Sequence, residues 1–70
     1  MQFEQGGQRY FFGAVYNAQA GNKDKAFEYL EKSYQRREYW MAFLKVDPRV
    51  DPLRDDPRFY DLLRRVDSSQ

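Results

Sequence analysis

Asp47-Pro48-Arg49-Val50-Asp51-Pro52-Leu53-Arg54-Asp55-Asp56-Pro57 carries three Asp-Pro steps within eleven residues and uses every proline of the 70-residue chain. Proline fixes φ, lacks a backbone N–H and pushes the residue before it out of the α region. Each Asp therefore reads as a helix N-cap with Pro at the first helical position. Helices are stopped and restarted along this stretch. Asp47-Pro48 ends a long-helix part, Asp51-Pro52-Leu53-Arg54 suits one helical turn, and Asp56-Pro57 opens a last helix through about Val66. Phe59, Leu62, Leu63 and Val66 form the apolar stripe of that helix, with Asp61 and Arg65 an i, i+4 pair on its other side.

Working back from Asp47, the residues Trp40, Phe43 and Leu44 have helical spacing, yet no Gly, Pro or strong cap residue stands between Ala26 and Val46. A tight turn near Arg37 to Tyr39 is expected, because one continuous helix would leave these side chains nothing to pack on in a monomer. The alternative, an unbroken helix, calls for a dimer. Lys23 to Arg36 or Arg37 reads as helix two. Ala26, Phe27, Leu30, Ser33 and Tyr34 share one face, Glu28 precedes Lys32 by four, and Arg36 and Arg37 stand at the negative end of the dipole. Gly21 supplies the stop before it, and Asn22 or Asp24 its N-cap. Helix one spans roughly Gln8 to Ala20. It is apolar on nearly all sides, through Tyr10, Phe11, Gly13, Ala14, Val15 and Ala18, as suits a helix packed between neighbours. Gly6-Gly7 sets it apart from a segment containing Phe3.

No stretch alternates apolar and polar residues for long, and hairpin dipeptides are missing, so no β reading competes. The fold class is all-α: an antiparallel helix pair, a third helix, and a short C-terminal capping helix. Residues 1–7 are expected to be a flexible segment, 8–38 a helix-turn-helix unit, 39–66 a helical cap and 67–70 a frayed tail.

So short a chain is hard to stabilise with one core, and a larger parent or a partner would help. Aromatics at 19% of residues offset this with extra apolar area. Net charge is +1, and residues 45–70 hold six Lys/Arg against six Asp, so no basic tail points to nucleic acid. The absence of Cys and His removes thiolate and imidazole chemistry and most zinc sites, leaving the redox compartment open. The longest strictly apolar run, Trp40 to Leu44, is far short of a membrane span, and no charged-then-apolar leader opens the chain. The expectation is a soluble, cytoplasmic piece with no catalytic, cofactor or metal site.

Ala20-Gly21-Asn22-Lys23-Asp24-Lys25-Ala26, with Leu30 and Ser33 beyond it, resembles the inter-helix loop and second helix of a tetratricopeptide (TPR) repeat, whose pattern is W-x₂-L-G-x₂-Y followed by a small residue and an aromatic. In that register Tyr10 takes the tryptophan position, Gly13 the leucine, Ala14 the small contact and Asn17 the tyrosine. Tyr16 lies one residue early, and Glu38 replaces the usual closing proline. Tyr39-Trp40, Phe43-Leu44-Lys45-Val46-Asp47-Pro48, Asp51-Pro52-Leu53-Arg54 and Asp56-Pro57-Arg58-Phe59 through Leu62-Leu63 are similar to a more particular ending. It is that of the last repeat and cap of TPR arrays at the C-termini of bacterial multidomain proteins such as winged-helix regulators, nucleotide cyclases and serine/threonine kinases. The resemblance spans about residues 8–66 and implies a TPR-like scaffold or protein-interaction module excised from a larger protein.

A helical repeat needs a stack, whose inner surface commonly takes peptides or partner proteins. The register implies that Gln8, Phe11, Val15, Ala18 and Gln19 face such a groove, with Arg9 and Asn17 at its rim if the helix is rotated. Alternatively Phe11 and Val15, and likewise Phe3 and Phe12, pack on preceding repeats of the parent chain. Trp40, Phe43 and Leu44 read as core in preference to an interface hot spot. Arg49, Arg54, Arg58, Arg64 and Arg65 interleave with Asp47, Asp51, Asp55, Asp56 and Asp61 as a salt-bridged, solvated face rather than a phosphate site. Asp55-Asp56 has the look of paired carboxylates, but Asp56 has a capping task. The function expected is non-catalytic protein interaction. A purely structural cap is the other reading, and homo-oligomer formation a separate hypothesis.

Overall fold

The computed structural model describes residues 9–68, which form α1 (Arg9–Gln19), α2 (Lys23–Gln35), two 3₁₀ helices (Tyr39–Phe43 and Pro48–Leu53) and α3 (Pro57–Ser68). The fold is all-α. Gln8, Phe3, the segment 1–7 and residues 69 and 70 lie outside the described residues. Asp67 and Ser68, expected to fray, belong to α3.

Gly21 ends α1 in the left-handed region, with φ of +82°. Its amide donates to the Ala18 carbonyl (3.1 Å) and the Asn22 amide to that of Asn17 (2.8 Å), which together close a left-handed C-cap. Asn22 then occupies the N-cap position of α2 without a side-chain bond. α2 ends in the same way with an unexpected residue. Arg37 has φ of +54°, its amide donates to the Tyr34 carbonyl (3.1 Å), and that of Glu38 donates to Ser33 (3.1 Å). The turn expected near Arg37 to Tyr39 is therefore present, and it separates α2 from the first 3₁₀ helix.

α1 and α2 press together through Phe11, Ala14 and Ala18 on one side and Ala26, Phe27, Leu30 and Ser33 on the other, all buried. Gly13 admits the Tyr29 ring, whose Cδ1 lies only 3.0 Å from where a Cβ would stand. α2 lies between α1 and α3, and α3 contributes Phe59, Leu62 and Val66 to the same core.

The third helix expected here is present, and it is a 3₁₀ helix, Tyr39–Phe43. From residue 41 to 53 the buried positions fall at every third residue: Met41, Leu44, Asp47, Val50 and Leu53. Three residues per turn is the 3₁₀ period, which puts i and i+3 on one line within each helix, Met41 with the C-cap Leu44 in the first and Val50 with Leu53 in the second, while Asp47 is the extended N-cap between them. An α-helix would have rotated that line away from the core. Asp51-Pro52 also departs from expectation, lying inside the second 3₁₀ helix rather than starting a turn of its own. Without an N–H, Pro48 and Pro52 cannot engage the carbonyls of Lys45 and Arg49, three residues earlier. Those oxygens instead accept from Arg54 Nη1 (3.0 Å) and Gln19 Nε2 (2.9 Å).

The other two Asp-Pro steps do cap. Asp47 Oδ1 accepts from the Arg49 amide (2.9 Å) and Asp56 Oδ1 from the Arg58 amide (3.0 Å). Hydrogen bonding to Arg58, through its guanidinium and its amide, lowers the Asp56 carboxyl to about 2. Ion pairs fasten the C-terminal part to α2: Lys23 to Asp55 (3.1 Å), Arg58 to Asp24 (2.9 Å) and Arg65 to Glu31. Arg65 also approaches Asp61 (3.5 Å), as expected of that pair. No ion pair joins Glu28 to Lys32 among the described residues, and Lys32 Nζ lies 5.9 Å from the ring centres of Tyr10 and Tyr29.

Candidate interaction surface

Glu38 explains how α1 is held. Its side chain is only 2% exposed, yet it accepts from the Tyr10 amide (3.1 Å, Oε2), the Phe11 amide (2.8 Å, Oε1) and Ser33 Oγ (2.9 Å, Oε1). A carboxylate from the end of α2 thus caps the start of α1. It satisfies two of the N–H groups a helix leaves open and meets the positive end of the dipole. The contact joins the turn that follows α2 to the first turn of α1, as in an antiparallel pair.

With α1 so placed, the groove residues expected on it separate. Phe11 and Ala18 are fully buried in the chain's own core and cannot line an open groove. Val15 is half-buried against that core, and Gln19, though exposed, donates its side-chain amide to the Arg49 carbonyl. Arg9 is exposed, and Asn17 is turned back onto the Gly13 carbonyl (2.8 Å). The expected groove side of α1 is not open, because Phe11 and Ala18 join Ala14 in the inward stripe, leaving Phe12 and Tyr16, one turn apart, on the outside.

More exposed apolar surface lies on the row next to the buried one. Trp40, Phe43, Val46 and Arg49 also recur every third residue, and with Asp47 and Pro48 they line a shallow notch of about 390 Å³. Tyr39, Trp40 and Phe43 pack ring against ring with centroids 5.4 to 5.7 Å apart. Of the three residues expected in the core here, Leu44 is buried, Trp40 is half-buried and Phe43 is exposed. The Trp40 indole nitrogen is buried and meets no acceptor among the described residues, so the ring turns its polar edge inward.

Arg49 joins this row to α1. Its guanidinium lies 5.7 Å from the Phe12 ring centre, 5.4 Å from Phe11 and 5.4 Å from Trp40. It also donates from Nε (3.0 Å) and Nη2 (2.7 Å) to the two oxygens of Asp47. These bonds hold the nearly buried Asp47 carboxyl below its ordinary value. The result is one continuous face running from Tyr16 and Phe12 across Arg49 to Trp40, Phe43 and Val46.

Arg54, Arg58 and Arg64 pair with neighbouring carboxylates. Arg54 pairs with Asp51 (2.6 Å), Arg58 with Asp56 (2.9 Å) and Arg64 with Asp61 (3.1 Å). Arg54 and Arg58 also lie over Phe59 and Phe27, at 5.2 and 4.5 Å. A second shallow groove between α2 and α3 is lined by Asp24, Glu28, Glu31, Arg58, Asp61 and Arg65, but its charges are largely spent on one another. Among the described residues no group of three or more Asp or Glu could hold a metal ion, and no helix is long and apolar enough to cross a membrane. No protein-family model matches the chain, and no curated protein or solved structure matches it significantly.

Proposed function

We propose that this chain is a non-catalytic protein-interaction module, a TPR-like helix pair with a C-terminal cap belonging to a larger bacterial protein. The observation that carries the reading is the exposed aromatic face from Phe12 to Val46, held on a scaffold whose charged groups are mostly paired internally. An exposed apolar surface of this kind favours polypeptide side chains over phosphates or ions. The helix pair supports the TPR-like reading through its small inward residues, Ala14, Ala26 and Ser33. The interaction site proposed is not the α1 groove implied by the repeat register. It is the row Trp40, Phe43, Val46 and Arg49 together with Phe12.

A purely structural role as a stack-closing cap draws on α3, whose buried stripe covers α2 while Tyr60, Asp61 and Arg64 face outward. Site-specific photo-crosslinking decides between the readings. A photoreactive residue at Phe43 in the full-length protein should capture a polypeptide in cells, and the same residue at Lys25, on the solvated face of α2, should not. Equal yields at the two positions would remove the interaction reading.

A further inference from the structure

We infer that the aromatic face is a self-association surface, and that the partner it takes is a second copy of this chain. The inference rests on the interaction reading above and names its occupant.

The area is sufficient for such a contact. Phe12, Tyr16, Phe43 and Val46 remain 45%, 74%, 39% and 71% exposed, and Tyr39 contributes beside them. With ~150–250 Å² on each aromatic side chain, the open apolar area of the face is roughly 500 Å². That is a large patch for a chain whose total accessible surface is 4552 Å². Two such faces brought together remove roughly 1,000 Å² of apolar surface from water before any polar rim is added. The sum with a rim reaches the lower end of the range for specific interfaces, about 1,200–2,000 Å².

The charge pattern selects the occupant. Arg49, the cation in the middle of the face, is neutralised by Asp47 within the same copy. The middle of the face therefore offers no uncompensated charge to steer a strongly acidic or basic partner, and the exposed cations Arg9 and Lys45 stand at its edges. A second copy meets it without like-charge repulsion across the middle of the contact, and a net charge of +1 does little to keep copies apart. A two-fold arrangement also uses both kinds of feature present. The projecting aromatic on α1, Tyr16, and the notch of Trp40, Phe43 and Val46 are unlike shapes on one surface, as an isologous contact requires.

The test is sedimentation equilibrium of the full chain from about 2 to 200 µM, the range in which an interface of this size is expected to associate. Trp40 is the only tryptophan, so its emission over the same dilution series reports burial of the face directly. The wild type should pass from monomer to dimer with a blue shift. Val46→Lys and Tyr16→Glu, both at exposed positions, should weaken association about tenfold or more with unchanged helical circular dichroism. A wild type that stays monomeric, or a dimer indifferent to both substitutions, would overturn the inference. If the monomer persists while Phe43 still captures a different polypeptide, the interaction reading stands and only the second copy is lost. A monomer with no capture removes both.

Discussion

Replacing Glu38 by alanine deletes the side chain that caps α1, and the size of the effect can be worked from the groups it leaves behind. The Phe11 amide and Ser33 Oγ lose their acceptor at a buried site, and the Tyr10 amide at a part-buried one. An unsatisfied buried donor costs about 1–3 kcal/mol, and bonds to a charged group sit at the upper end of what hydrogen bonds contribute. Water entering the gap would recover part of this, so about 3–5 kcal/mol is expected for Glu38→Ala. The total stability of so short a chain is on the order of 4–10 kcal/mol. Glu38→Gln keeps the oxygen that accepts from Phe11 and Ser33 but turns an amide donor toward the Tyr10 N–H, and about 1.5–3 kcal/mol is expected from it. Urea unfolding tracked by far-ultraviolet circular dichroism measures both, and thermal midpoints should fall by about 4–8 °C per kcal/mol. Ser33→Ala provides the internal check, because its effect should largely vanish in the Glu38→Ala background. Stability of Glu38→Ala within about 0.5 kcal/mol of wild type, the ordinary scatter of surface substitutions, would refute the capping role.

Three further outcomes are expected. Leu30→Ala should cost about 2–5 kcal/mol in the same unfolding assay, since Leu30 is fully buried between α1 and α3. Arg37→Gly should stabilise the protein by roughly 0.5–1 kcal/mol, because relief of about 1–2 kcal/mol of left-handed strain exceeds the entropy cost of a new glycine; a lowered urea midpoint would contradict the C-cap geometry. Stability should decline in acid as the capping aspartates protonate. Asp56 ionises at about 2 when folded, below its ordinary 3.8, so its contribution is fully present above pH 4 and is lost as pH falls toward 2. Asp47, also lowered, acts in the same direction. Asp56→Asn should flatten the urea midpoint against pH in that window, and an unchanged slope would count against the cap.

The helix pair is legible in the sequence because its signals are local. Gly21 can adopt a left-handed φ, and the spacing of Ala26, Leu30 and Ser33 repeats at the α-helical period. The end of α2 can be placed near the right residues for a weaker reason, the need to bury Trp40 and Leu44. The left-handed residue there is Arg37, which no propensity rule selects. The 3₁₀ segments are misread when apolar positions are matched to an α-helical period. The row Met41, Leu44, Val50 and Leu53 has a period of three that is present in the chain, with Asp47 breaking its hydrophobic character at the middle. The interaction face escapes the same reading, since Phe43 and Val46 lie on the adjoining row.

Local chemistry in the chain determined the all-α class, the order of the elements, the glycine stop at residue 21 and the capping roles of Asp47 and Asp56. Each depends on backbone sterics or on a hydrogen bond reaching two or three residues along the chain. Tertiary structure alone decided which side of α1 faces inward, that Glu38 caps a helix beginning 29 residues earlier, that Gln19 and Arg54 satisfy the carbonyls the prolines leave open, and that Arg49 links Phe12 to Trp40. These contacts join residues far apart in sequence. Their existence depends on how the helices pack, and no spacing along the chain records it.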